Sequence, residues 1–235
     1  MEFIMAKYIN KKGQVLSIEA DECAENPMRE WGMFGTYYTF ESRSFSPQEH
    51  KYSDSMEFLG SIIGDELVEK IHDKYSNTSD FLSDVLKRIN KLGYIMFPIS
   101  KFEHSNVVYS IGVSNGWDCG TVGLAFVTKE KLYKEFGKKR ISSQVIERVK
   151  NIFESELNTY TQWCNGEVYG FTVSDSKGEV VDSCWGFYGL CQDTDLDEAV
   201  KSGLLETVAE STNCGEPSDW EEAKVDRVIY KAKTA

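Results

Sequence analysis

Residues 94–127 run YIMFPISKFEHSNVVYSIGVSNGWDCGTVGLAFV, and this stretch decides the fold class. Tyr94 to Ile99, Val107 to Val113 and Val122 to Val127 are apolar, β-prone runs of strand length, broken by Gly112, Asn115-Gly116 and Gly120. The connections between them are short. Parallel neighbours need a crossover of a dozen or more residues, so these three strands are expected to pair antiparallel.

Upstream, two helices are expected. One covers roughly Met56 to Tyr75. The other covers Ser79 to Leu92, where Phe81, Val85, Ile89 and Leu92 recur at helical spacing and Gly93 is the stop. Before them lie strand candidates at Gln14 to Glu19 and Phe34 to Phe40. Downstream, Thr128 suits the cap of a short helix over Lys129 to Phe136. A long amphipathic helix follows, from about Ser142 to Trp163, with Val145, Val149, Ile152, Phe153, Leu157, Tyr160 and Trp163 on one face. That face suits a homodimer interface as well as an internal core. Asn165-Gly166 ends the helix. Val168 to Val173 and Glu179 to Trp185 then form a hairpin across Asp175-Ser176-Lys177-Gly178. Thr194 with Asp197 forms a capping-box pattern for a final helix, about Asp195 to Glu210, and Lys224 to Ala232 reads as a last strand. Helices fall in pairs between groups of strands, so the expected class is α+β: antiparallel sheets with several packed helices. One domain over 1–235 is the first choice. The alternative cut lies near 93, into 1–92 and 93–235.

No apolar run approaches the roughly 20 residues of a membrane span, and the first residues lack the pattern of a signal peptide. Six cysteines without a CxxC pair, and only three histidines, argue against a structural zinc site and a disulfide framework. The thiols are expected to be reduced, in a cytoplasm, and no cofactor is implied. The net charge of −12 is unevenly placed. Residues 1–163 carry 20 basic and 23 acidic groups, 164–223 carry 2 and 14, and 224–235 carry 4 and 1. Such a field opposes direct nucleic-acid binding. It suits either a solvated acidic face or a surface that imitates nucleic acid in a partner's basic groove.

Three stretches carry the unusual residues: Glu25 to Trp31, Ser100 to Gly120, and Val168 to Gly189. In them a thiolate reading pairs Cys119 or Cys184 with His104, oriented by Asp118 or Asp182. The competing reading is a buried cysteine acting as a small apolar group. A metal reading would join His104, Glu103, Asp118 and Asp182, without any spaced ligand motif behind it. An aromatic reading makes a stacking or peptide-binding cleft from Trp31, Trp117, Trp185, Phe187 and Tyr188. Its bland counterpart is a large ring packed on bare glycine backbone. No phosphate-binding glycine loop is present.

These stretches resemble an uncharacterised family of bacteriophage and mobile-element proteins of Gram-positive bacteria. The matching residues are Glu25-Asn26-Pro27 with Arg29-Glu30-Trp31, and Ser100-Lys101 with Glu103-His104-Ser105. They continue with Trp117-Asp118, Gly120, Val122-Gly123 and Gly166 to Gly170, and end with Asp182-Ser183-Cys184-Trp185-Gly186-Phe187-Tyr188-Gly189. The likeness covers most of 20–190. It departs at Cys119, where the family pattern has serine, which weakens a nucleophilic role there. No catalytic residue comes with the resemblance. It implies a setting, that of host-takeover and anti-defence factors, including DNA-mimicking antirestriction proteins.

The first expectation is therefore a non-enzymatic acidic binding protein in the cytoplasm of a bacterial host. Its partner would be a host protein, such as a nucleic-acid-binding defence factor. The acidic candidates are Asp193, Asp195, Asp197, Glu198, Glu206, Glu210, Glu216, Asp219, Glu221 and Glu222. The second expectation is an enzyme with a cleft of His104, Trp117, Asp118, Asp182, Cys184 and Trp185. The third is that these motifs only specify the fold.

Overall fold

Glycines at positive φ set the punctuation of this chain. Gly13, Gly64, Gly93, Gly137 and Gly166 all lie in the left-handed half of backbone space, where a side chain would be strained. The computed structural model describes residues 4–42, 44–137, 141–188 and 220–222; of 4–6 and 220–222 only the backbone is described.

In chain order the strands are β1 (Ile4–Asn10), β2 (Val15–Ala20), β3 (Thr36–Thr39), β4 (Tyr94–Glu103), β5 (Val107–Ile111), β6 (Asn115–Gly116), β7 (Cys119–Thr128), β8 (Val168–Ser174), β9 (Val180–Tyr188) and β10 (Trp220–Glu222). The helices are α1 (Pro27–Glu30), α2 (Ser55–Ile63), α3 (Asp65–His72), α4 (Thr78–Lys91), α5 (Lys129–Phe136) and α6 (Ser143–Cys164). All registered pairs are antiparallel, and the class is α+β. No helix among the described residues is long and apolar enough to cross a membrane.

The chain divides into two units. The first is Met1–Glu25 with Gln162–Ala235, and the second is Asn26–Thr161. Residue 93 lies within the second unit, at the turn from α4 into β4.

In the second unit the sheet order is β3-β7-β4-β5, with β6 on β7. One sheet face, through Met96, Leu124 and Phe126, joins a core with Phe58, Leu59, Val68, Ile71, Phe81, Val85 and Ile89 of α2, α3 and α4. The other face meets α6, where the rings of Tyr37 and Phe97 pack edge-on against Phe153. Burial on both faces explains why β4 and β7 read as continuous apolar runs. Both outer strands are capped. Along β3, the Tyr37 and Thr39 amides donate to Gln48 Oε1 and Ser46 Oγ, and the Thr39 carbonyl meets His50 Nε2. Beside β5, the Tyr109 amide donates to Thr161 Oγ1. Such side-chain cover blunts sheet edges.

In the first unit the order is β10-β1-β2-β8-β9. Tyr8, Leu16, Ile18, Phe171 and Val173 bury one face. The expected hairpin is present: Asp175 Oδ1 accepts from the amides of Lys177 and Glu179, and Gly178 sits at φ +85.

Three local expectations need correction. The helix expected over Met56 to Tyr75 is two helices, because Gly64 at φ +92 breaks it between α2 and α3. The first strand is not Gln14 to Glu19 alone. β1 precedes it across a turn where Asn10 Oδ1 accepts from the Lys12 and Gln14 amides. The helix α1 was not expected; four residues are too few for periodicity, though Asn26 and Pro27 are its cap and first position. The expected final helix (195–210) and last strand (224–232) lie outside the described residues.

Candidate functional site

His104 lies in the turn between β4 and β5, and Asp118 lies in the turn between β6 and β7. The two turns are pinned together by the Glu103 amide donating to the Asp118 carbonyl at 2.9 Å. This brings His104 Nδ1 to 3.4 Å from Asp118 Oδ2, with the histidine largely in solvent. Trp117, beside Asp118, is fully exposed. Cys119 is not aimed at His104 by any bond; its Sγ accepts from Ser114 Oγ at 2.9 Å.

Asp182, Cys184, Trp185 and Tyr188 belong to the other unit, on β9. Asp182 Oδ1 accepts from the Ser183 amide at 2.8 Å, at a register shift in which Val173 faces Asp182 and Ser174 faces Val180. Its carboxylate therefore occupies a backbone donor of the outer strand. Cys184 is exposed and free, as Cys23 is, and Cys119 is also a free thiol. Trp185 crosses Gly170 of the neighbouring strand: a Cβ there would collide with the indole ring. Gly186, at φ +86, is the extra residue that lets Phe187 face Tyr169 while Trp185 faces Gly170. The Tyr188 hydroxyl donates to the Glu25 carbonyl, and burial, then the charge of Asp21, pushes its pKa above the ordinary phenol value. The six residues of the enzyme reading are thus divided between the two units, with His104, Trp117 and Asp118 in one and Asp182, Cys184 and Trp185 in the other.

Trp31 is half-exposed at the C-terminal end of α1. The rest of its motif is a clamp. Asn26 Oδ1 caps the Met28 amide, while Arg29 donates to the carbonyls of Ser46 and Pro47 and pairs with Glu49 at 3.0 Å. The stretch holds the segment that covers β3. Of the acidic candidates, Glu221 and Glu222 stand in β10, opposite Ile9 and Tyr8. Asp193, Asp195, Asp197, Glu198, Glu206, Glu210, Glu216 and Asp219 lie outside the described residues. Among the described residues no three His, Cys, Asp or Glu side chains gather to hold a metal ion.

Two charged arrangements escaped the sequence reading. Lys101 is 6% exposed and its Nζ sits 3.1 Å from Glu41 and 2.7 Å from Glu103, with Ser44 Oγ at 3.1 Å. Burial pulls its pKa down, but the hydrogen bonds to Glu103 and Glu41 outweigh it and raise the net value. Glu156 of α6 accepts from the Phe34 amide at 2.6 Å, the Gly35 amide at 2.9 Å and the Tyr37 hydroxyl. Burial, then the Glu156 charge and hydrogen bond, drives the Tyr37 pKa far above the ordinary range. The signal for Glu156 was its place between Phe153 and Leu157, on the flank of the apolar stripe. Lys101 carried its signal in being a cation between Ser100 and Phe102, in a strand whose first six residues are all apolar.

Comparison with protein-family models, with curated proteins and with solved structures finds no match.

Proposed function

We propose that this chain is a non-enzymatic acidic binding protein of phage or mobile-element origin. Its target is a host protein with a basic, nucleic-acid-binding groove, and its action is to occupy that groove. The observation that carries the reading is the charge distribution: 14 acidic against 2 basic residues over 164–223 in a chain otherwise close to balanced. Carboxylates presented in quantity compete with phosphates through the same long-range field. Capture on the tagged protein from a bacterial lysate, at low and moderate salt, tests it. Support is a stoichiometric partner that salt or duplex DNA displaces, and that is lost when Asp193, Asp195, Asp197 and Glu198 are changed together to Lys. Affinity unchanged by that reversal refutes the reading.

The His104–Asp118 contact favours a second reading. A carboxylate beside an imidazole nitrogen is the arrangement that orients a general base. Turnover of any substrate that His104→Ala abolishes, with the fold intact, would replace the binding reading.

A further inference from the structure

The sheet of the first unit has two unlike faces. Opposite the buried face, the register aligns Lys7, Ser17, Thr172 and Ser183 in one row across β1, β2, β8 and β9. The adjacent row is Glu19, Gly170 and Trp185 across β2, β8 and β9. Every one of these residues except Gly170 keeps contact with solvent.

Gly170 has a use here. Built on it, a Cβ would strike Cδ2, Cε3 and Cζ3 of Trp185, so the benzenoid half of the indole lies over bare backbone. Trp185 is nevertheless 45% exposed. One side of the ring is packed and the other is open. Just beyond the glycine, Glu19 is held in place by Thr172, whose hydroxyl donates to Oε1 at 3.2 Å. Adjacent strands lie about 4.8 Å apart, so Trp185 and Glu19, two strands apart, stand about 10 Å from each other at the backbone. The indole reaches inward across that gap.

We propose that this face binds a neutral saccharide, with one sugar ring stacked on Trp185 and its hydroxyls donating to Glu19. A sugar ring offers a patch of C–H groups to an aromatic face and a rim of hydroxyls to its surroundings. A fixed indole beside a steadied carboxylate, with Ser183 and Thr172 hydroxyls alongside, answers both demands. Other occupants fit less well. A nucleotide would bring phosphate into a strongly acidic chain. An organic cation is held by several aromatic faces, whereas this row presents one. A peptide added to β9 would meet two register shifts and a Ser183 amide already taken by Asp182.

The test uses the full chain carrying 5-fluorotryptophan, followed by fluorine NMR. The chain has five tryptophans, and the Trp185 signal is assigned by its loss in Trp185→Phe. Cellotetraose, maltotetraose and chitotetraose are titrated to about 10 mM, with choline and a thymidine tetranucleotide as competitors of other chemistry. The expected result is that one saccharide moves the Trp185 signal and leaves the other four in place. Glu19→Gln, with those four signals unmoved, then weakens that saccharide about five- to tenfold, as loss of a charged acceptor should. No response to any of the three sugars overturns the proposal. So does a response to choline or the tetranucleotide alone, or an affinity that Glu19→Gln leaves unchanged.

Discussion

Replacing Glu156 by Ala removes the acceptor of three donors at once: the Phe34 and Gly35 amides and the Tyr37 hydroxyl. Tyr37 is completely buried, and so is Phe153 of α6, whose ring packs against it, so water does not readily replace the lost carboxylate. A hydrogen bond to a charged group contributes about 1.5–3 kcal/mol, and an orphaned buried donor costs about 1–3 kcal/mol. These values are not additive, and Phe34 is only half-buried, so the sum for Ala is about 3–5 kcal/mol. With a urea slope of about 2 kcal/mol per molar, the midpoint falls by about 1.5–2.5 M. Glu156→Gln keeps one acceptor oxygen but turns an NH2 toward a donor, so it loses about 2 kcal/mol. Tyr37→Phe leaves two amide donors on the carboxylate and loses about 1.5 kcal/mol, the low end for one bond to a charged group. The order Ala, then Gln, then Tyr37→Phe is read from urea denaturation followed by circular dichroism. An Ala variant within about 0.5 kcal/mol of the parent would refute the reasoning. The same group sets a pH dependence. Because the fold raises the Tyr37 pKa, its contribution is fully present below the unfolded value of 10.0 and is lost progressively as pH climbs above it. Tyr37→Phe should flatten that alkaline loss.

Lys101→Ala strands Glu41, whose side chain is 21% exposed, and should cost about 3 kcal/mol in the same assay, whereas Glu103→Gln, at an exposed carboxylate, should cost under about 1 kcal/mol. Lys101→Met with Glu41→Leu should recover most of the loss, since the two buried charges go together and the Glu103 carboxylate is left in solvent. Gly170→Ala should push the Trp185 indole outward, shift tryptophan emission to the red, and cost about 1–3 kcal/mol. Gly123→Ala should cost more than Gly170→Ala, because its Cβ would strike the Tyr38 carbonyl and Thr39 Cα on β3, backbone that cannot swing aside. Gly64→Ala should destabilise by about 1 kcal/mol through its φ of +92 alone, since a Cβ there meets open space.

The elements that rest on local periodicity were legible in the chain. α4, α5 and α6 fall where the spacing of apolar residues and the caps place them, and the β8–β9 hairpin falls around its Asp175-to-Gly178 turn. The antiparallel middle strands follow from short connections. β1 carries no comparable local signal, because its place depends on pairing with β2 on one side and β10 on the other. The Glu25 to Trp31 motif stood out by its residue types, but its role as a clamp on the segment over β3 depends on partners some 20 residues away.

Sequence by itself determined the α+β class, the positions of the long helix and the central hairpins, and the crowding of negative charge into 164–223. Local spacing and charge are properties of neighbours along the chain, so they can be read without knowing the fold. Tertiary structure decided which unusual residues meet. His104 finds Asp118, Lys101 finds Glu41, Glu156 finds Tyr37, and Trp185 finds Gly170 beside Glu19. Each of these pairings is a matter of strand register or of which helix face lies against which strand, and register is set by burial across the whole sheet rather than by any short run of residues.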